Sequence, residues 1–192
     1  MVWSKVEQVR EQVVGLRPVY SSIGNSTEVL MLGGQTISER RGLKSSISAL
    51  ARSYAVDLAA QRSIVRTWLD KQTLVPFYLS AERVFIPLKM RQSRAGNDET
   101  YGYLDVRLVQ DIKELARRKC QVVLEDGTVL EVLSGKSTIL QSQHNGQRLL
   151  TILGNVENPA NDEDNAVESA RWMVRTLKKI SLQLDRMEGR ED

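Results

Sequence analysis

The feature that most constrains the fold is a β-hairpin signature in residues 121–133. Two apolar runs rich in valine and leucine, residues 121–124 and 128–133, are separated by Glu125-Asp126-Gly127. Asp-Gly between such runs is a strong turn signal, because both residue types tolerate the backbone conformations that tight hairpin turns require. The chain is therefore expected to contain an antiparallel sheet.

Helices and further strands are predicted around this hairpin, so the fold class is predicted to be α+β. The segments predicted as strands are residues 28–32, 84–88, 103–106 and 148–153. Pro87 suggests an edge strand or a bulge, since proline cannot donate a ladder hydrogen bond. Residues 43–69 are predicted to be helical, as is the stretch from residue 107 to Lys119. We expect a single core with a small, mostly antiparallel sheet, flanked by N- and C-terminal helices.

Both termini carry apolar residues spaced alternately three and four apart, the pattern of an amphipathic helix. The two stripes are Val2, Val6, Val9, Val13 and Leu16, and Ala170, Met173, Leu177, Ile180, Leu184 and Met187. We interpret residues 1–17 as an N-terminal helix, residues 18–155 as the α+β core, and residues 156–192 as an acidic linker with a C-terminal helix. These helices dock on the core, pair with each other, or pair between chains in a homodimer or higher oligomer.

The composition is that of a folded globular protein. Hydrophobic residues make up 41% and charged residues 27% of the chain, near the averages for globular domains. No apolar stretch reaches the roughly 20 residues of a membrane-spanning helix, and the N-terminus lacks the apolar core of a secretion signal. Cys120 is the single cysteine and cannot form an internal disulfide, which fits a reducing compartment. We expect a cytoplasmic protein with no membrane partner.

Positive charge is concentrated in the middle of the chain. Residues 35–119 contain 16 Lys and Arg against 9 Asp and Glu, a balance of +7, whereas the remainder has a balance of −4. A basic middle with acidic flanks is what an anionic partner such as nucleic acid requires. The alternative is an ordinary solvated surface.

No catalytic or metal-binding constellation is present in the sequence. His144 is the only histidine, in a polar segment interpreted as a surface turn, and Cys120 is interpreted as a small buried hydrophobe. Gly135-Lys136-Ser137 ends like a nucleotide-binding loop, but the first glycine of that motif is absent and a strand is expected to follow. We therefore expect a protein that is not an enzyme and that has no cofactor and no metal.

Binding remains as the expected class of function. The basic residues form three short runs: Arg40-Arg41 with Lys44, then Lys89, Arg91 and Arg94, then Arg117-Arg118-Lys119. The second run enters a flexible glycine-containing loop, which can follow a phosphate backbone or insert an arginine into a narrow minor groove. Residues 48–69 invite a helix-turn-helix interpretation, although Ala55 replaces the usual turn glycine and Gln61 an apolar position. The alternative is one or two core helices.

The order of features from residue 20 to residue 148 resembles the ComK family of bacterial competence transcription factors. The matching elements are Asn25-Ser26-Thr27, Arg62-Ser63, Val75-Pro76-Phe77, Val84-Phe85-Ile86-Pro87, Gly102-Tyr103-Leu104, Gly127, and the spaced Ser134, Ser137 and Gln141. Tyr103 stands where the family pattern has a tryptophan, and both terminal stripes lie outside the match. Residues 103–133 also resemble the LytTR DNA-binding domain of response regulators.

The resemblance implies a transcription regulator that binds A/T-rich double-stranded DNA, largely through the minor groove. Lys89, Arg91 and Arg94 are then the candidate groove contacts. Ser134, Ser137 and Gln141 are candidate hydrogen-bonding groups near the hairpin. Charge alone adds candidate backbone contacts, which are Arg40, Arg41, Lys44, Arg117, Arg118 and Lys136. The competing hypothesis is a protein-interaction or oligomerisation module that works through the terminal helices.

Overall fold

The computed structural model describes residues 3–96 and 98–157, and the described residues up to Leu153 form one compact unit. The strands in this part of the chain are β1 (Val13–Ser21), β2 (Gly24–Met31), β3 (Thr36–Glu39), β4 (Phe77–Ser80), β5 (Arg83–Lys89), β6 (Tyr101–Asp105), β7 (Val109–Ala116), β8 (Lys119–Leu124) and β9 (Val129–Val132). The helices are α1 (Leu43–Ser53), α2 (Leu58–Leu69) and α3 (Lys136–Glu157), with short 3₁₀ segments at Val6–Gln12, Leu32–Gly34 and Val106–Leu108. The predicted α+β class is confirmed.

The strands form two antiparallel sheets. The larger has the order β3-β2-β1-β6-β5-β4, and the smaller has the order β7-β8-β9. The pair β1–β6 joins distant parts of the chain, with Leu16 opposite Tyr103. A Cβ atom on Gly102 would lie 2.5 Å from the carbonyl oxygen of Leu16, so only glycine permits this close approach.

Side chains of β5 alternate between two cores, one on each face of the six-stranded sheet. Phe85 packs with α1 and the first 3₁₀ segment, whereas Ile86 and Leu88 pack with the three-stranded sheet and α3. All three side chains are at most 1% exposed. Burial of each side chain stabilises the fold by about 1.5–3 kcal/mol. Because these side chains alternate between the two faces of the sheet, both faces must be covered by other elements.

Helices α1 and α2 are separated by residues 54–57. Ala55 has a φ of 57°, in the left-handed region that a turn glycine would favour. Gln61 is 5% exposed because α2 lies against the edge strand β4. Its side-chain amide donates to the carbonyl oxygen of Tyr78 at 2.8 Å and accepts from the Tyr78 N–H at 3.0 Å. Two helices joined by a turn are present, and both contribute buried residues to the cores, Leu50 from α1 and Val65 from α2.

The predicted hairpin is confirmed as β8–β9. The N–H of Gly127 donates to the carbonyl oxygen of Leu124 at 2.9 Å, and Gly127 has a φ of 81°. The Asp126 carboxylate accepts hydrogen bonds from the N–H groups of Thr128 and Gly33, each at 2.9 Å. These bonds and the side-chain hydrogen bond of Thr128 hold the pKa of Asp126 below its usual value.

The prediction of an N-terminal helix over residues 1–17 is wrong. The 3₁₀ segment Val6–Gln12 leads directly into β1, which is an internal strand of the larger sheet. Val6, Val13 and Leu16 are at most 1% exposed, so the apolar stripe belongs to the core rather than to a separate helix. Val2 and the C-terminal stripe at 170–187 lie outside the described residues.

The helix predicted between residue 107 and Lys119 is also wrong, because Val109–Ala116 forms β7. Only Val109 and Ile112 of this strand are buried. The pairing of β7 with β8 shifts register between Val109 and Asp111 and again near Ala116. Such irregularities let residues three apart face the same side of a sheet, and that spacing imitates a helix.

The strand predicted at residues 148–153 and the turn predicted at His144 both lie within the helix α3. This helix packs closely on β5, since a Cβ atom on Gly146 would lie 2.4 Å from Ile86 Cγ2. The Ser142 hydroxyl donates to the carbonyl oxygen of Pro87 at 2.9 Å. Helix α3 continues to Glu157, past the start of the predicted acidic linker.

The prediction for Pro87 is correct only locally. Strand β5 is internal, between β6 and β4, so it is not an edge strand of the sheet. However, β4 begins at Phe77, which pairs with Phe85. Pro87 pairs with Tyr103 of β6 on one side, but on the other side it lies past the residues that β4 covers, where no strand needs its missing N–H.

Candidate nucleic-acid interface

Several strand ends carrying basic residues meet at one end of the six-stranded sheet. Strand β5 ends at Lys89, which pairs with Tyr101 at the start of β6. Strand β3 ends at Glu39, just before Arg40 and Arg41, and β2 begins at the same end. Because the strands are antiparallel, the loop between β5 and β6 and the segment leading into α1 leave the sheet at the same side.

The three-stranded sheet directs its basic turn towards the same end. The N–H of Leu133, just after β9, donates to the carbonyl oxygen of Lys89 at 2.7 Å. Cys120 pairs with Val132, so the β7–β8 turn lies beside this end of β9. That turn is Arg117-Arg118, and α3 begins shortly after Leu133. All three basic runs therefore lie towards one end of the two sheets, which we call the basic end.

Arg41 is paired with two carboxylates, so it is not free to contact a phosphate. Its guanidinium donates to Glu7 at 2.9 Å and to Glu39 at 2.5 Å. The hydrogen bond from Arg41 holds the pKa of Glu7 below its usual value. Burial opposes the same effect at Glu39, but hydrogen bonds from Arg41 and from the N–H of Val6 keep the pKa of Glu39 low.

The loop between β5 and β6 is organised around Tyr20. The guanidinium carbons of Arg91 and Arg94 lie 4.0 Å and 4.2 Å from the centre of the Tyr20 ring. Asp98 accepts hydrogen bonds from the Tyr20 hydroxyl and from the N–H groups of Arg94 and Ala95, and these bonds hold the pKa of Asp98 well below its usual range. The described part of this loop is therefore joined to β1 by hydrogen bonds and by stacking on the Tyr20 ring.

The two arginines of this Tyr20 cluster differ in exposure. Arg91 is 8% exposed and donates to the side-chain oxygen of Asn25 at 3.0 Å, so it is not available as a surface contact. Its burial corrects the expectation that the whole run contacts a groove. Arg94 is exposed and stacks on Tyr20 with its charge open to solvent.

The remaining candidate cations lie on the described surface without a carboxylate within ion-pair distance. They are Arg40, Lys44, Lys89, Arg94, Arg117, Arg118 and Lys136. Arg40 stacks over Trp3, with 5.5 Å between its guanidinium carbon and the ring centre. Lys119, by contrast, forms an ion pair with Glu131 at 2.9 Å.

The three residues suggested by the family pattern are brought together. Ser134, Ser137 and Gln141 line one groove of about 310 Å³ at the start of α3, and Lys71 lines it too. Burial lowers the pKa of Lys71. A helix, rather than the expected strand, follows Gly135-Lys136-Ser137, so Lys136 lies in the exposed first turn of α3.

Sequence reasoning missed a second group of cations, on α1 and α2. Arg52, Arg62 and Arg66 are exposed, and none lies within ion-pair distance of a carboxylate in the described residues. Lys44 and Arg52 are eight positions apart in the part of the predicted helical segment that precedes Asp57, where no acidic residue occurs. Lys44, Ser48 and Arg52 follow one another at intervals of four residues, and this spacing could have indicated a polar, basic helix face.

The described residues contain no group of three or more His, Cys, Asp or Glu side chains able to hold a metal ion. Cys120 is fully buried, as expected, and burial raises the pKa of its thiol. None of the helices in residues 3–96 and 98–157 is long and apolar enough to cross a membrane. No family model, curated protein or solved structure matches the chain.

Proposed function

We propose that this protein is a DNA-binding transcription regulator that recognises A/T-rich duplex through the minor groove, as the resemblance to the ComK family implies. The observation that carries the proposal is the convergence of three basic runs at the basic end of two sheets. Phosphate contacts dominate the affinity of proteins for duplex DNA. A DNA-binding protein therefore needs unpaired cations on one surface, and here separate segments supply them.

In this proposal half-buried Lys89 and exposed Arg94 contact the groove. Arg94 is stacked on Tyr20, which limits the side-chain entropy lost when the guanidinium enters a narrow groove. Lys89 lies at the end of β5, before the same loop. Arg40, Lys44, Arg117, Arg118 and Lys136 supply backbone contacts, and Ser137 and Gln141 supply hydrogen bonds. Ser134 is 8% exposed, the same as Arg91, so it is removed from the contacts for the same reason.

Duplex binding across a salt series tests the proposal. Fluorescence anisotropy with A/T-rich and G/C-rich duplexes should show affinity that falls steeply with salt and favours the A/T-rich duplex. The double variant Lys89→Gln, Arg94→Gln should weaken binding to A/T-rich duplex about tenfold and reduce the A/T preference.

The matched control is Lys5→Gln, Lys113→Gln, which removes two exposed cations outside the candidate residues. This variant should retain the A/T preference. Absence of duplex binding by the unaltered protein at every salt concentration would refute the proposed function.

The alternative function is an interaction module that works through both terminal helices. The structure leaves it without the N-terminal one. Val6, Val13 and Leu16 pack in the core, so the N-terminal stripe is not free to pair with another helix. The remaining stripe lies outside the described residues. Deletion of residues 166–192, followed by size-exclusion chromatography, tests whether that segment drives oligomerisation.

A further inference from the structure

The exposed faces of α1 and α2 form a basic surface, of which only Lys44 belongs to one of the three basic runs. Neither helix contains an aspartate or a glutamate. Helix α1 exposes Lys44, Ser48 and Arg52, which follow one another at intervals of four residues. Helix α2 exposes Arg62 and Arg66. Such spacing places the α1 side chains along one face of the helix, over about 12 Å at 1.5 Å per residue.

A cleft of about 1,050 Å³ separates these two helical faces. Lys44, Ser48 and Arg52 line its α1 wall, and Arg62 lines its α2 wall. Apolar and aromatic residues complete the lining, among them Ile47, Leu58 and Tyr103. Cations therefore face the same space from two separate helices.

Three carboxylates also line the cleft, but each is already engaged by backbone N–H groups. Asp57 caps α2 by accepting from Ala59 at 2.8 Å and Ala60 at 3.1 Å. Glu99 accepts from the first N–H groups of α1, those of Leu43 at 2.8 Å and Lys44 at 3.1 Å. The partial positive charge of each helix N-terminus offsets part of these two negative charges.

The third carboxylate, Asp98, belongs to the Tyr20 cluster described above. It accepts from the Tyr20 hydroxyl and from two backbone N–H groups, and two arginines stack on the same ring. Lys44, Arg52 and Arg62, in contrast, have no ion-pair partner in the described residues. The formal charges of the cleft lining balance at three cations and three carboxylates, but the carboxylates are engaged by N–H and O–H donors whereas the cations have no ion-pair partner among the described residues.

We infer that this cleft seats one sugar–phosphate strand of the duplex, with Lys44 and Arg52 on one side of the strand and Arg62 on the other. The inference rests on the proposed function. A stripe of about 12 Å spans roughly three phosphates of one strand, at one charge per about 3.4 Å of helix axis. Lys44 belongs to both surfaces, so the cleft continues the basic end and extends the contact along α1 and α2.

The test is the salt dependence of duplex affinity for the triple variant Lys44→Gln, Arg52→Gln, Arg62→Gln. Each lost phosphate contact lowers the slope of log affinity against log salt by about 0.9. The triple variant should therefore lower the slope by about 2–3, equally for A/T-rich and G/C-rich duplexes. Loss of the groove contacts at Lys89 and Arg94 should instead reduce the preference between the two duplexes.

The matched control is Lys5→Gln, Lys113→Gln, Arg148→Gln, which removes the same charge from exposed positions outside the cleft. A charge-conserving variant, Lys44→Arg, Arg52→Lys, Arg62→Lys, should restore the slope. Thermal unfolding should be unchanged in all three variants, since the substituted side chains are exposed.

Two results would overturn the inference, and they are distinguishable. If the unaltered protein binds duplex with a steep salt dependence but the cleft variant matches the control, the cleft is not a contact and the proposed function stands. If the unaltered protein binds no duplex at any salt, both the inference and the proposed function fail.

Discussion

Arg41 and Arg52 lie at opposite ends of the same helical region, and their surroundings differ completely. Arg41 donates to two carboxylates, one of them buried, and its charge contributes to the fold. Arg52 lies on the exposed face of α1 with no carboxylate in ion-pair range among the residues described. A count of basic residues treats the two alike. Only the unpaired cation is available to an anionic partner, because a paired one would first have to give up its carboxylates.

The variant Glu39→Gln tests whether the ion pairs of Arg41 stabilise the fold. The variant leaves Arg41 with Glu7 alone and places an amide against the guanidinium, so the free energy of unfolding should fall by about 2 kcal/mol at neutral pH. Urea denaturation measures the change. The matched control is Glu11→Gln at the exposed Arg10–Glu11 pair, for which we expect a change below about 0.5 kcal/mol.

The same variant has a pH signature. The folded-state pKa of Glu39 is lowered, so its contribution to stability is present above the ordinary carboxylate pKa and is lost as pH falls through the folded-state value. Acidification should therefore destabilise the unaltered protein more than Glu39→Gln. Equal stability of Glu39→Gln and Glu11→Gln would show that Arg41 is not a structural cation.

The Tyr20 cluster gives an internal comparison, because two arginines stack on one ring but only one is exposed. Arg94→Met should weaken binding to A/T-rich duplex three- to tenfold, about 1 kcal/mol. Arg91→Met should change binding by less than about twofold, since a buried guanidinium makes no surface contact. The measurement is anisotropy titration of both variants on the same duplex.

Stability separates the two variants further. The Nε and Nη2 atoms of Arg91 are buried without a hydrogen-bond partner. Replacing a buried, incompletely paired charge with an apolar side chain of similar length is often neutral or stabilising. The unfolding temperature of Arg91→Met should therefore not fall. Weaker duplex binding by Arg91→Met than by Arg94→Met would reverse the assignment of the two residues.

The smallest effect is expected at the β7–β8 turn, where Arg117→Gln, Arg118→Gln removes two unpaired cations. Their long side chains are exposed and lose rotamer freedom on contact, which offsets part of the electrostatic gain. We expect a two- to threefold loss of duplex affinity at physiological salt. A loss larger than that of Arg94→Met would place the centre of the interface at this turn.

The fold was predictable where neighbouring residues determine the backbone. Asp126-Gly127 correctly predicted the hairpin, and residues 43–69 were correctly predicted to be helical apart from the turn around Ala55. Helix α3 was missed because its buried face includes Ser142 and Asn145. The Ser142 hydroxyl is satisfied by the carbonyl oxygen of Pro87, a partner that no local pattern indicates.

The sequence identified the basic residues of the candidate site, but not which of them are paired with carboxylates or buried. The three basic runs were identified, and the topology brings them to one end of the molecule. The pairing of Arg41 with Glu7 and the burial of Arg91 beside Asn25 were not predictable, because each partner is distant in the sequence. The cations of α2 were missed because they are separated along the chain.

The sequence by itself determined the local elements of this protein: the β8–β9 turn, the strand at residues 84–88 and the helical backbone within residues 43–69. Each follows from backbone preferences and side-chain periodicity within a few residues. Tertiary structure alone decided that the N-terminal stripe enters the core, that residues 109–116 pair as a strand, and which cations remain unpaired. Burial and ion pairing depend on groups that only the folded chain brings together, and their free energies decide between local alternatives of similar stability.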